Sequence, residues 1–488
     1  MPAKYTIHTH AIPPRIRPVG KLGIIDWRED CSSCHNCVKQ SCVYGLYRDE
    51  ADTLRTEIGY LDYIYQCKGC LSCIQNCTKG ILTRVENPEY RLLGDDYFTP
   101  DIILTTWFQA ESGRIPVSGS GYGGPFSGPG FDSMWTDMSE IVRPTRDGIH
   151  GREYISTSVD IGRKLKELAF RDGQLDVAPP PLMEIPLPVI FDRIPGCWQR
   201  GPALSAVVQA AAGLGSLAVV EAADGAANFI AKHGHVIPWI SSVEGAASGA
   251  IREAPLVMIS DSDNVLEIQE RLKERNAERL VAIRVEASPA AKERVLKLAR
   301  DGAEVIFLVF DAHGREAAGS DGATGSTSTP GTAAPPARRH ARDVLRDIHR
   351  ALVKEGIRDQ VTLISSGGIA QAEHMAKAII CGADLVAIDV PLLLAMECRL
   401  CGQCDEREPC PVGLEEMDEE YAVQRIENLI GAWHQQLIEV LGAMGIREVR
   451  RLRGETGRAM FFEDLERDSF GRLFGKRKNV DLEGANSR

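Results

Sequence analysis

The sequence predicts an α/β protein: a (β/α)8 barrel with a small cysteine-rich α+β module before it and a helical tail behind it. Three observations lead there. Between residues 188 and 397, eight short apolar stretches alternate with helical patterns. Ahead of them, residues 24–87 hold eight cysteines in two compact runs. Behind them, residues 414–488 follow a third cysteine run at 398–413 and carry apolar residues at helical spacing. A glycine-rich connector, 88–187, joins the first module to the barrel.

The cysteines come first in the chain and carry the most chemistry. Of the 14 present, twelve fall into three quartets. These are Cys31-x2-Cys34-x2-Cys37-x4-Cys42, Cys67-x2-Cys70-x2-Cys73-x3-Cys77 and Cys398-x2-Cys401-x2-Cys404-x5-Cys410. A cubane cluster needs four converging thiolates, and a C-x2-C-x2-C turn supplies three of them from one loop. Disulfides would need an oxidising compartment, and structural zinc favours paired C-x2-C knuckles over triple runs. Three 4Fe–4S clusters are therefore expected, in a protein that moves single electrons. The first two runs resemble a bacterial-type dicluster ferredoxin. The resemblance implies one cluster on Cys31, Cys34, Cys37 and Cys77, and another on Cys67, Cys70, Cys73 and Cys42. Val43 and Thr78 stand where such domains carry proline. Tyr60, Leu61, Tyr63, Ile64 and Tyr65 between the runs would shield the clusters. Cys197 and Cys381 stand apart, and Cys381 reads as a buried small hydrophobe.

The connector shows little periodicity. Its glycine-rich stretch, Ser118–Gly130, matches neither a Walker loop nor a dinucleotide fingerprint and reads as a structural loop. Arg143, Arg146, His150 and Arg152 then gather in a polar turn, either as a salt-bridged linker or as a pin to the neighbouring module.

The barrel strands are expected at Val189–Asp192, Leu217–Ala222, Val236–Ser241, Leu256–Asp261, Leu280–Glu286, Glu304–Phe310, Val361–Ser366 and Leu385–Asp389. Each is apolar throughout, as parallel strands buried on both faces must be. Helices are expected at Asn264–Arg275, Pro289–Arg300, Arg338–Glu355 and Ala370–Cys381. Barrel chemistry sits at the carboxyl ends of strands. Those ends read Asp192-Arg193, Glu221, Ser241-Ser242, Asp261, Arg284/Glu286, Asp311/His313, Ser365–Gly368 and Asp389. Ser366, Gly367 and Gly368 suit a phosphate cradle built from backbone amides, or else a tight turn. Residues 313–337 are too polar and glycine-rich to pack a core and form either a lid or a disordered insertion. In the tail, Ile426, Leu429, Ile430, Trp433, Leu437 and Val440 trace an apolar face that packs on the barrel. The basic stretch Arg447–Arg458, with Phe461-Phe462 beyond it, is a candidate docking surface.

Composition narrows the class. The net charge of −12 argues against nucleic acid. No apolar run approaches the roughly eighteen residues a membrane span requires. The start of the chain has no apolar leader, and its many thiols suit a reducing cytoplasm.

The barrel, its Gly382-Ala383-Asp384 turn and the cysteine run closing in Cys410-Pro411-Val412-Gly413 resemble the FMN-binding synthase domain of glutamate synthase. The tail segments Val423–Leu429 and Leu441–Ile446 are similar to it too. With a ferredoxin module in front, the chain resembles compact, archaeal-type large subunits. The resemblance implies FMN at the barrel mouth, an adjacent cluster, and reductive amination of 2-oxoglutarate. It places Ser366, Gly367 and Gly368 at the flavin phosphate, and Cys398, Cys404 and Cys410 in the three-cysteine cluster region; with Cys401 as a fourth thiol, a 4Fe–4S cluster is expected. The departures are Asp389-Val390-Pro391 after strand eight, Arg284 where a lysine is expected, and no clear Gly-Gly-Thr-Gly stretch after strand six. The start Met1-Pro2 offers no cysteine nucleophile, so glutamine hydrolysis is not expected. Two functions follow. One is an iron–sulfur electron-transfer subunit in a multi-subunit redox complex. The alternative is an FMN-dependent glutamate synthase-type oxidoreductase fed by its ferredoxin module. Either needs a redox partner, a flavoprotein or NAD(P)H-linked subunit, because no G-x-G-x-x-G fingerprint follows a strand.

Overall fold

The computed structural model describes residues 5–16, 19, 22–27, 34, 36, 40, 41, 43, 70–80, 82–115, 130–136, 155–195, 198, 201–222, 234–240, 251, 254–317, 338–405 and 410–474. Cys31, Cys37, Cys42, Cys67, Cys197, the stretch 118–129, the arginine-bearing turn 143–152 and residues 318–337 lie outside them.

Eight parallel strands close a barrel in chain order: Val189–Phe191, Ala218–Glu221, Val236–Ile240, Leu256–Ser260, Leu280–Glu286, Val305–Val309, Thr362–Ser366 and Leu385–Ile388. The ring shuts where Val386 pairs with Val189 and Ile388 with Phe191. Every residue of Leu385–Ile388 is buried, because helices cover the outer face while side chains fill the inside. The expected strand bounds run one residue longer at most ends. Glu304, expected in strand six, instead takes the Val281 amide at 3.0 Å with its side chain, just before the strand begins.

The expected helices appear as Val265–Arg275, Ala291–Arg300, Ala341–Lys354 and Ala372–Cys381. An antiparallel pair, Val159–Gly162 with Leu182–Ile185, closes the amino end of the barrel. There Thr362, first residue of strand seven, donates through its hydroxyl to the Gly162 carbonyl at 2.8 Å.

The connector is more ordered than its sequence suggests. Pro100–Ser112 is a helix with Pro100 in its first turn and Gly113 ending it at φ 66°. It buries Ile102, Ile103, Thr106, Trp107, Gln109 and Ala110. The long helix Glu419–Ala443 packs on it, on Pro202–Gly213 and on Ala372–Cys381. Beyond Ala443 the tail is not one helix. Short turns lead to Ala459–Phe461, which pairs antiparallel with Met134–Thr136. The proposed basic docking surface is largely occupied by the chain itself. Arg450 binds Asp160 at 2.9 Å and Glu184 at 3.0 Å, Arg453 binds Asp384 at 2.6 Å, and Arg458 donates to the Met444 carbonyl at 2.8 Å. Phe461 is buried beneath the Arg346 guanidinium, 3.7 Å from its ring centre. Among the described residues no helix is long and apolar enough to cross a membrane.

Candidate functional site: a four-cysteine cavity behind the barrel and the barrel mouth

Strand eight leads into the short helix Val390–Ala395, and the chain then turns sharply. Glu397 at φ 70°, Leu400 at φ 51° and Gly402 at φ 74° adopt left-handed backbone, which two non-glycine residues take only at a cost. The turn brings Cys398, Cys401, Cys404 and Cys410 to the wall of one cavity of about 430 Å³, counting space open to solvent. Trp198, Arg399, Gln403, Pro411, Val412 and Glu415 complete the lining. The Leu400 amide donates to Cys398 Sγ at 3.4 Å, and the Cys410 amide donates to Glu415 at 2.9 Å. Burial pushes the Cys398 thiol up to about 12, and the other three thiols add to that rise. Four thiols lining one cavity are the donor set a soft cation or an iron–sulfur cluster takes.

The root of this turn is anchored by a buried ionic group. Glu397, 1% exposed, accepts from the Arg15 amide at 2.8 Å and the Tyr421 hydroxyl at 2.8 Å. Arg15 Nε approaches the same carboxylate at 3.2 Å and Arg425 at 3.8 Å. The opposite charges compensate one another, and the hydrogen bonds to Glu397 hold the residue preceding Cys398 in place.

In the N-terminal module, Leu22–Trp27 and Leu82–Glu86 pair antiparallel. Cys73 lies in the short helix Ser72–Gln75, after Leu71 at φ 61°. Cys34 Sγ lies 3.7 Å from the hydroxyl of Thr78, next in sequence to Cys77. Cys70 is exposed. The segment after the module reaches the third cysteine turn, where the Gly94 amide donates to the Arg399 carbonyl at 3.2 Å.

The barrel mouth is occupied by its own side chains. Asp192 follows strand one and receives Arg284 from strand five, with Nη1 2.9 Å and Nη2 3.3 Å from its two oxygens. Ser366 donates to the same carboxylate at 2.5 Å. The Arg284 guanidinium also lies 4.9 Å from the Trp239 ring and 5.0 Å from Phe307. Asp389 caps the helix after strand eight, taking the Val390 amide at 2.7 Å. Burial, with Asp192 nearby, pushes its carboxyl up to about 7.

Gly367 and Gly368 stand at φ 93° and 73°. A Cβ on Gly367 would lie 2.5 Å from the Asp311 carbonyl oxygen, so only glycine fits. Their amides make no backbone hydrogen bond among the described residues. The turn rests on groups the sequence did not single out. Tyr97 donates to the Gly368 carbonyl at 2.6 Å. His340 Nδ1 accepts from the Arg342 amide at 3.1 Å, which leaves the proton of the neutral ring on Nε2, 3.3 Å from the Tyr97 oxygen. Burial pulls His340 down to about 3, so the ring stays neutral. His374 likewise accepts the Ala370 amide on Nδ1 and meets Asp132 through Nε2 at 2.8 Å. Asp132, Glu373 and His374 have the spacing of a metal site. The proton on His374 Nε2 and Lys377, 3.4 Å from Glu373, make them a hydrogen-bonded pin instead. A polar residue spaced from these histidines by an unpatterned connector left no signal in the sequence.

Residues 232–447 match the conserved region of glutamate synthase. The chain is 25% identical to the archaeal-type glutamate synthase [NADPH] of Dehalococcoides mccartyi, over 88% of this chain and 93% of that one. It is 25% identical to the archaeal glutamate synthase [NADPH] of Archaeoglobus fulgidus, over 95% and 98%. In backbone it is similar to the flavin-binding domain of baker's yeast flavocytochrome b2, at TM-score 0.40 and 12% identity over 73% of this chain and 84% of that one.

Proposed function

Because the chain is a member of the glutamate synthase-like family, we propose that it is an iron–sulfur oxidoreductase subunit that relays electrons within a redox complex. The observation that carries the reading is the convergence of Cys398, Cys401, Cys404 and Cys410 on one cavity. These four would hold a 4Fe–4S cluster. Cys31, Cys34, Cys37 and Cys77 would hold a second, and Cys67, Cys70, Cys73 and Cys42 a third. Each cluster, when bound, exchanges one electron without bond making. The approach of Cys34 to Thr78 supports the ligand exchange between the first two runs. The contact of Gly94 with Arg399 supports a short path from the N-terminal module to the third site. Electrons would come from a flavoprotein or NAD(P)H-linked partner subunit, in keeping with the NADPH in the relatives' names.

A second reading, an FMN-dependent glutamate synthase-type enzyme, is favoured by one observation. Among the described residues the Gly367 and Gly368 amides have no backbone acceptor at the carboxyl end of strand seven, where an anion would fit. Against it stand the Asp389 carboxyl, which already takes the Val390 amide, and the Asp192–Arg284 pair filling the mouth. A reductive titration of the anaerobically purified chain separates the two. The relay takes up about three electrons per chain, and bound FMN raises that to about five. An uptake of about two or fewer overturns the three-cluster assignment.

A further inference from the structure

We propose that Trp198 and Arg399 raise the reduction potential of the cluster held by Cys398, Cys401, Cys404 and Cys410, by presenting N–H donors to its sulfurs. The inference rests on the iron–sulfur reading above and adds residues that are not ligands. Trp198 follows barrel strand one, far in sequence from the cysteine turn, yet it lines the same cavity. It is 6% exposed, and its indole Nε1 is buried without an acceptor among the described residues. Arg399 sits between Cys398 and Cys401, lines the cavity too, and its Nε is likewise buried without an acceptor among the described residues. A buried N–H left unsatisfied is unfavourable, so two on one cavity wall point to an acceptor that arrives with the bound group. Thiolate and sulfide sulfurs are such acceptors. The Leu400 amide already donates to Cys398 Sγ at 3.4 Å, which sets the pattern.

The direction of the effect follows from charge. Reduction adds one electron to the cluster and forms no bond. N–H dipoles and the Arg399 guanidinium stabilise the more negative, reduced state, so they raise the potential. A tryptophan that serves only as an apolar wall would be replaced by phenylalanine without any change in potential.

The test is an EPR-monitored redox titration of the full chain, purified anaerobically. The third cluster's signal is assigned as the one that Cys401→Ser removes or alters. Trp198→Phe and Arg399→Gln are each expected to shift that signal to lower potential and leave the other two clusters unmoved. An intact cluster with unchanged potential in Trp198→Phe overturns the proposal. A measurement on the unmutated chain guards against a variant that fails to load. With 15N in the tryptophan indoles, the third cluster's electron spin is expected to couple to one indole nitrogen, and absence of coupling overturns the role of Trp198. A wild-type protein with no signal sensitive to Cys401→Ser would instead defeat the iron–sulfur assignment itself, and this inference with it.

Discussion

Asp389 is the residue at which the barrel mouth departs most from a simple anion site. Its carboxyl is buried beside Asp192, and both effects push it up to about 7. An acid whose folded value lies above its unfolded value holds its proton more tightly when folded. The stability this protonated form contributes is complete below about 4 and is lost as pH rises through about 7. Asp389→Asn keeps an acceptor for the Val390 amide and removes the ionisation. Its thermal midpoint is expected to match wild type near pH 4 and to exceed it increasingly up to pH 8, by an amount on the order of a few kcal/mol in stability. An advantage that does not grow with pH contradicts this account of the mouth. The sequence sets Asp389 apart as a departure from the family the chain resembles, and the structure makes it the cap of the helix Val390–Ala395, close to Asp192. The sequence could not mark Trp198, Glu397 or Tyr97. Each acts through a contact with a residue far along the chain, and no local pattern encodes that.

Elements were legible where burial was uniform. The eight barrel strands are continuous apolar runs, and the closed ring leaves every one of them covered on both faces. The helix Pro100–Ser112 was missed for the opposite reason. Its buried set mixes Ile102 and Trp107 with Thr106 and Gln109, because Gln109 accepts from the Trp433 indole at 3.1 Å instead of facing water. The apolar spacing from Ile426 to Val440 predicts the helix Glu419–Ala443 but does not extend past it, and the basic residues beyond pair with the chain itself, Arg450 with Asp160 and Glu184 and Arg453 with Asp384. Three elements meet at Asn428, which is fully buried. Its Nδ2 donates to the His10 carbonyl at 2.7 Å and the Ala110 carbonyl at 2.9 Å, and its Oδ1 accepts the His10 amide at 3.1 Å. Asn428→Ala orphans all of these groups, and a loss of about 2–4 kcal/mol is expected. Thermal inactivation should quicken accordingly, with the segment 5–16 becoming sensitive to protease. A variant as durable as wild type would show that water satisfies the site.

At the scale of the molecule, the path matters more than any one site. The segment that follows the N-terminal module meets the third cysteine turn where the Gly94 amide donates to the Arg399 carbonyl, and the relay proposed above depends on that junction. The three cysteine runs were legible from spacing alone. Their relation in space was not, because it depends on a connector with no readable period. The measurement that tests the central claim most directly is the iron and acid-labile sulfide content of the full chain, purified without oxygen, with flavin extracted from the same sample. The relay account predicts about twelve iron and about twelve sulfide per chain with little flavin. About eight iron atoms or fewer would contradict it.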